Sequence, residues 1–540
     1  MPRVYISDKL EEAGMEILRA AGLEIDNRPG LKGEDLKEAI RAADGVVVRS
    51  GTRITPELLE DPGALKAVVR GGVGVDNIDV AAATRKGIVV MNTPDANTLS
   101  TAEHTISLLM ALARHIPAAD ASMRSGKWEK NRFLGAQLTG KTLGVIGLGR
   151  IGREVARRAA QGLGMRVIGF DPVLAPSASA QLGIQTAPSV DELCPQCDFI
   201  TVHTPLTTET RHMVGARQLA LLPAGARVIN CARGGIIDEK ALLESLDSGH
   251  LAGAALDVFE TEPLPADHPI VSHPKMVITP HLGAATLEAQ VLVARESAQL
   301  LVDFLCKGQV RFAVNMAALD RAEMEEVRPY VDLARRLGIL FAQMVRGSIT
   351  RAEIRYRGDV ADKPTRLITG SFAAGLLENY LEQHVNLVNA RVLAQERGIT
   401  IVEEQSSEKG DFSSLIEVVV QTDKKEYRAS GTLFGNRHLR LVQLGAYRLD
   451  AHLDGTLLLF THRDVPGLIG FIGNLFGQQN INIAHMTVGR QEKGGEAIAV
   501  MNLDGQPPAE AIEQVANHPQ VGSVSLVNLP PMGIMPGWFA

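Results

Sequence analysis

Through its first three hundred residues the chain alternates short apolar runs with longer stretches whose apolar positions recur three and four apart. Residues 3–7, 45–50, 65–70 and 87–92 read as buried strands, and 9–21 as an amphipathic helix. Residues 99–116 predict one long helix, apolar on nearly all faces and therefore buried, with Ser100 as N-cap and Glu103 completing a capping box. Strand-like runs resume at 143–146, 165–170, 199–203, 227–231, 253–258 and 276–279, and a further helix is expected over 288–305. Strands that alternate with helices predict parallel sheets of the α/β class. Past residue 315 the pattern changes to a charged helical stretch over 315–346, a strand at 351–357, a helix-rich stretch over 372–397 and a hairpin from 416–421 and 426–433. The last unit reads β-α-β-β-α-β, the ferredoxin-like order. Its strands fall at 456–461, 481–489, 496–503 and 521–527 and its helices at 467–478 and 509–516, as a separate compact unit followed by an irregular tail from Pro530.

Composition narrows this picture. A chain of 540 residues allows about three to five domains. Its 55 basic and 62 acidic residues leave a net charge of −7 without a basic block, which argues against a nucleic-acid partner. Four cysteines imply no disulfide framework, so a reducing compartment, the cytoplasm, is expected. The pair Cys194 and Cys197 reads as a helix end entering a strand, and no metal site is expected. No signal peptide is visible and no run of eighteen apolar residues occurs, so no membrane partner is expected.

One turn carries specific chemistry. Gly147, Gly149 and Gly152 follow the apolar run 143–146 at G-x-G-x-x-G spacing, and a second run ends on Asp171. The first glycine permits the tight turn, the second lets a pyrophosphate approach the backbone, and the third lets helix pack on strand. Free N–H groups at the helix start then hold the phosphates. Asp171 is placed to accept from a ribose 2′-OH and would repel a 2′-phosphate, which predicts NAD rather than NADP. Other candidates stand at strand ends, where open α/β sheets bind ligands: Arg49, Arg70, Arg233, Asp257, Glu262 and His281. A histidine can take the proton of an alcohol, a carboxylate can fix its tautomer, and an arginine can hold a substrate carboxylate. His104 reads as a satisfied core histidine, and the basic segment 124–133 as a solvated loop that could lend Lys130 or Arg132 to an anionic substrate.

GLGRIG (147–152), CARGGIID (231–238), DVFETEP (257–263) and PHLGAAT (280–286) resemble the D-isomer-specific 2-hydroxyacid dehydrogenases. VRSGTRIT (48–55), RGGVGVDNID (70–79) and NTPDANTLSTAEH (92–104) extend the resemblance to long members that oxidise 3-phosphoglycerate with NAD on the way to serine. It implies Arg233, Glu262 and His281 as the catalytic set. It also implies an NAD site that adds Arg150, Ile151, Thr204, Cys231, Ala232, Asp257 and Gly283 to the glycine turn, with Arg233 and His281 at its edge. Substrate contacts would be Arg49, Arg70 and Asn97, with Lys130 or Arg132, of the same or a neighbouring subunit, at the phosphate. Val73 departs from the pattern, in which a hydroxyl residue is common.

The implied architecture is two interleaved Rossmann-like parallel-sheet domains, an α+β intervening domain and a ferredoxin-like ACT domain. The expected boundaries are 1–98 and 285–314 for substrate, 99–284 for NAD, 315–452 for the intervening unit and 453–540 for the ACT unit. HRDVPG (462–467) and NINI (480–483) resemble ACT domains that bind amino acids, which implies L-serine as effector at His462, Asp464 and Asn482. The family further implies a homo-oligomer, a dimer through the nucleotide domain and from it a tetramer. Two rivals are a shorter-chain reductase of another D-2-hydroxyacid, disfavoured by the C-terminal half, and a silent NADH sensor, disfavoured by the arginine, glutamate and histidine together.

Overall fold

A computed structural model describes the chain except residues 173–183, 317–320, 379–380, 382–384, 436, 532 and 535–540, so most of the tail expected to be irregular lies outside the described residues. The first sheet is parallel, built from β1 (Arg3–Ile6), β2 (Glu24–Asn27), β3 (Gly45–Val48), β4 (Ala67–Arg70) and β5 (Val89–Asn92) in the order β2-β1-β3-β4-β5. Both faces are covered, as parallel sheets require, so the strands are near-continuous apolar runs. The edge strand β2 escaped the sequence pattern because its Asp26 is neutralised by Arg3 and Arg28 rather than replaced by an apolar residue.

The second sheet is also parallel. It comprises β6 (Thr142–Ile146), β7 (Arg166–Phe170), β8 (Gln185–Thr186), β9 (Phe199–Val202), β10 (Arg227–Asn230), β11 (Gly253–Leu256) and β12 (Met276–Ile278), ordered β12-β11-β10-β9-β6-β7-β8. The chain reverses direction across the sheet between β6 and β9, which opens a crevice at their carboxyl ends.

The predicted long helix is present but ends three residues short of Ile116, where a second helix begins. The first runs Thr98–Ala113, and after Arg114 His115 adopts a left-handed φ of 53° before a second helix, Ile116–Arg124. Pro117 accounts for the break, because it has no N–H to give the Ala113 carbonyl four positions back and its ring would clash with that carbonyl in a continuous helix. Ser100 is not the cap: it lies inside the helix and donates to the Gly283 carbonyl at 2.7 Å, while Glu103 pairs with Arg158. Neither is the helix buried on all faces, since Leu99 and Met110 are exposed.

Helix Leu287–Lys307, capped by the Thr286 hydroxyl and closed by Gly308 in left-handed conformation, returns the chain to the first sheet. A Cβ on Gly14 would stand 2.6 Å from the Ala294 carbonyl oxygen, so this helix and Glu12–Ala20 meet backbone to backbone. Residues 312–314 then pair antiparallel with β5.

The C-terminal half begins with helix Arg321–Met344 and a six-stranded sheet of β13 (Ile349–Gly358), β14 (Thr400–Ser406), β15 (Ser414–Thr422), β16 (Glu426–Phe434), β17 (His438–Leu444) and β18 (Tyr447–His452), ordered β14-β13-β15-β16-β17-β18. The last sheet is β20-β21-β19-β22, from β19 (Thr456–Arg463), β20 (Ile483–Arg490), β21 (Glu496–Leu503) and β22 (Val521–Asn528), the ferredoxin-like arrangement. It is not a separate unit. One face packs on its own helices, whereas Leu457, Leu459, Ile498, Val500 and Val527 on the other share a core with Leu333, Leu337 and Phe341 of helix Arg321–Met344.

Candidate active site

A cavity of 1390 Å³ lies between the carboxyl ends of the two parallel sheets. On the nucleotide-sheet side the chain leaves β6 through Gly147, whose φ of 95° and whose approach to His203 (2.7 Å from a would-be Cβ to the carbonyl carbon) exclude any side chain. A Cβ on Gly152 would stand 1.9 Å from the Gly147 oxygen, whereas one on Gly149 would meet nothing within 4 Å. So two glycines let the turn fold on itself and the third leaves open space before helix Arg150–Leu163, where a pyrophosphate fits. Gly149, Arg150 and Ile151 line the cavity. Asp171, just after β7, accepts from the Leu148 N–H at 2.8 Å and so holds the turn. Thr204, after β9, presents a buried hydroxyl oxygen without a partner among the described residues, a group suited to a cofactor contact.

After β10, Cys231, Ala232 and Arg233 reach the same wall. Burial pushes the Cys231 thiol up to about 12, so it is neutral packing. Cys194 and Cys197 are likewise buried thiols raised to about 12, at a helix end before β9 as expected. Arg233 donates through Nε to Asp76 at 2.7 Å and through Nη1 to the Ala232 carbonyl at 2.6 Å.

His281 and Glu262 face this arginine. His281 Nδ1 lies 2.8 Å from Glu262 Oε2, and Glu262 Oε1 accepts from the Phe259 N–H at 3.1 Å. His281 has a left-handed φ of 56°, a conformation non-glycine residues avoid. Asp257 accounts for it. Its carbonyl accepts from His281 N–H, and its carboxylate accepts from Thr279 Oγ1 (2.6 Å), Leu282 N–H (2.7 Å) and Gly283 N–H (2.9 Å). Burial acts to raise the Asp257 pKa, but the hydrogen bonds from His104, Thr279 and Leu282 prevail and hold it below the usual carboxylate value. His104 thus serves the packed loop, as the sequence reading had it. Asp257 itself is fully buried, and through these bonds it supports the His281 loop. Gly283 lines the cavity.

On the opposite side stand Arg49, Arg70, Val73 and Asn97. Burial and the charges of Arg233 and Arg49 push Arg70 down to about 10, and burial also lowers Arg49. Arg70 Nε and Asn97 Oδ1 are buried without partners among the described residues. An anion would satisfy the arginine donor, whereas the Asn97 oxygen, an acceptor, calls for a hydroxyl or N–H. Lys130 and Arg132 are not brought to it: they sit in the short helical turn Lys130–Phe133 away from the cavity, with Arg132 paired to Glu129. Asp76 is the site residue that sequence reading missed. It lies within a quoted motif, but its partner is 157 positions away.

In the last sheet, His462 Nδ1 contacts the Arg463 carbonyl at 2.7 Å, and Nε2 is buried without a partner among the described residues. Asp464 accepts from Arg490 and from Gly494 N–H, and the Arg490 hydrogen bond holds its pKa low. Asn482 donates to Asp504. Among the described residues no hydrogen bond links these three side chains, although the charge of His462 is felt at Asp464.

Comparison with known proteins agrees with this geometry. Residues 106–283 match the D-isomer specific 2-hydroxyacid dehydrogenase NAD binding domain, 326–445 the D-3-phosphoglycerate dehydrogenase intervening domain, and 456–520 the ACT domain. D-3-phosphoglycerate dehydrogenase of Methanocaldococcus jannaschii is 42% identical over 98% of this chain and 100% of its own, and that of Bacillus subtilis 40% over the same shares. Among solved structures, TT0316 protein from Thermus thermophilus superposes with a TM-score of 0.53 at 36% identity, covering 58% of this chain and 99% of its own.

Proposed function

This chain belongs to the D-3-phosphoglycerate dehydrogenases, and on that premise we propose that Arg233, Glu262 and His281 carry out its reaction, the NAD-dependent oxidation of 3-phosphoglycerate to 3-phosphohydroxypyruvate. The observation that supports these roles is the His281–Glu262 pair facing Arg233 in the cavity that also holds the glycine turn. With Nδ1–H held by Glu262, Nε2 of His281 is the basic nitrogen and takes the proton of the C2 hydroxyl. Glu262 stabilises the imidazolium so formed. Arg233 binds the substrate carboxylate and the oxygen that becomes the carbonyl, while Arg49, Arg70 and Asn97 complete the anion site. NAD, bound along the Gly149–Ile151 turn with Asp171 at its ribose, supplies the oxidant that receives the hydrogen and electron pair from C2.

The proposed substrate part is 1–98 with 285–314 and the proposed nucleotide part is 99–284. Lys130 or Arg132 reaches the substrate phosphate only where one copy leans on another, so a dimer through the nucleotide part, and from it a tetramer, belongs to this reading. The exposed Trp128 and Leu134, which flank both residues, favour it. L-serine is the proposed effector, with His462, Asp464 and Asn482 brought together across two copies. No described helix is long and apolar enough to cross a membrane, and the cytoplasm is the proposed location.

The test is NADH formation from 3-phosphoglycerate against unphosphorylated D-2-hydroxyacids. Turnover confined to the phosphorylated acid is expected, and His281→Ala should reduce kcat by about 10²- to 10⁴-fold while NADH still binds. Equal rates on all the acids would sink the phosphate assignment. A wild type that binds NADH but turns nothing over would be a sensor.

A further inference from the structure

We propose that Asp76, seated on Gly74, is the positioning residue that aims Arg233 at the substrate carboxylate, and that this pair joins the two halves of the cavity. The inference rests on the role of Arg233 given above. Three observations carry it. First, the guanidinium is held on two of its three nitrogens, Nε by Asp76 and Nη1 by the Ala232 carbonyl, and Nη2 has no acceptor among the described residues. A planar fork fixed at two corners presents the third in one direction only.

Second, a Cβ on Gly74 would stand 1.7 Å from Arg233 Nη2 and 2.7 Å from its Cζ. The guanidinium therefore lies directly on the glycine backbone. Gly74 is not in the left-handed region, so space, not conformation, is what requires glycine there. Third, Asp76 belongs to the loop after β4 of the first sheet and Arg233 to the loop after β10 of the second. The contact thus spans the cleft. Arg49, Arg70 and Arg233 converge on one cavity, and their mutual repulsion is felt at Arg70, where Asp76 acts in the opposite sense. Asp76 is a carboxylate on this wall that offsets the cluster without sealing it, since half of its side chain remains exposed.

The exposure has a useful consequence. A half-exposed ion pair contributes little to folding, so removing Asp76 should disturb orientation and leave stability nearly intact. In Asp76→Ala, KM for 3-phosphoglycerate should rise and kcat/KM fall by about 10- to 100-fold, the scale of a catalytic-group misplacement of about 1 Å, with NADH affinity and Tm close to wild type. Asp76→Asn keeps an acceptor for Nε and should recover part of the loss. Gly74→Ala should reproduce the KM defect by pushing the fork aside. Arg233→Ala separates the two levels of argument. If it loses activity and Asp76→Ala adds nothing to it in the double variant, the coupling holds. If Arg233→Ala is deleterious but Asp76→Ala behaves as wild type, the positioning inference falls alone. If Arg233→Ala itself leaves KM unchanged, the arginine's role is wrong and the inference goes with it. Equal losses of NADH affinity, Tm and KM in Asp76→Ala would overturn it in favour of a structural role.

Discussion

The 2.8 Å contact between His281 and Glu262 has a pH signature that can be worked out in sign. Burial acts to raise the Glu262 pKa, yet the hydrogen bond and charge of His281, the Phe259 N–H and the charge of Arg233 outweigh it and hold the carboxyl below its ordinary value. A carboxyl depressed in the folded state adds stability that is complete above its unfolded pKa, about 4.3, and is lost as pH falls through the lower folded value. The wild type should therefore exceed Glu262→Gln in thermal midpoint at pH 5, and that margin should shrink as pH falls below the ordinary carboxyl range. A margin that widens on acidification from pH 5 would mean the carboxyl is raised, not lowered. The same substitution should reduce kcat by about 10²-fold or more, because a neutral amide neither fixes the tautomer with a charge nor stabilises the imidazolium.

At the scale of elements, what was legible in the sequence was what repeats locally. Strands buried on both faces show as apolar runs, and the glycine turn shows as spacing, so both parallel sheets and the mouth where Arg233, Glu262 and His281 meet could be read. Features decided by distant partners could not. The polar strand Glu24–Asn27 is held because Arg3 and Arg28 reach Asp26, and Asp76 matters because of a residue in the other sheet. The dependence of the ferredoxin-like sheet on its neighbour was hidden for the same reason, and one side chain measures it. Arg336, wholly buried, donates to Asp332 at 2.7 Å, to the Leu453 carbonyl at 2.8 Å and to the carbonyls of Pro530 and Pro531 at 2.6 and 3.1 Å. It ties helix Arg321–Met344 to the segments by which the chain enters and leaves the last sheet, at the end where Thr456 and Asn528 pair. Arg336→Met strands the buried Asp332 carboxylate, and breaking one partner of such a pair costs about 3–5 kcal/mol. Urea unfolding followed in the C-terminal half should show that loss, and Asp332→Leu added to Arg336→Met should restore part of it, since no charge is then left buried. An unchanged midpoint in Arg336→Met would mean water reaches the site.

The whole molecule is two halves joined through a narrow seam. Asn386 donates to the Gly87 carbonyl at 2.8 Å, and Asn315 donates to Thr84 and Ile88 while accepting from Val90 N–H. Val388 and the partly buried Met316 pack on the core of the first sheet from the intervening part. Each parallel sheet otherwise has cores of its own on both faces, and a solved relative aligns 99% of its length with 58% of this chain. Residues 1–316 keep the pairing of 312–314 with β5 and keep Asn315. They should fold alone and bind NADH within about twofold of the full chain, as expected of sites with no shared partners. Yet β5 also leads into the cavity: Asn92, at its end, donates to the Val73 carbonyl on the wall, three positions before Asp76. Whether an effector on the last sheet is felt at Arg233 through this seam is open to direct test, since contact alone does not establish coupling. Turnover by 1–316 that no longer responds to serine, beside a full chain that does, would assign regulation to the C-terminal half. A truncated chain that aggregates or fails to bind NADH would show that the halves share their stability and that the seam is structural.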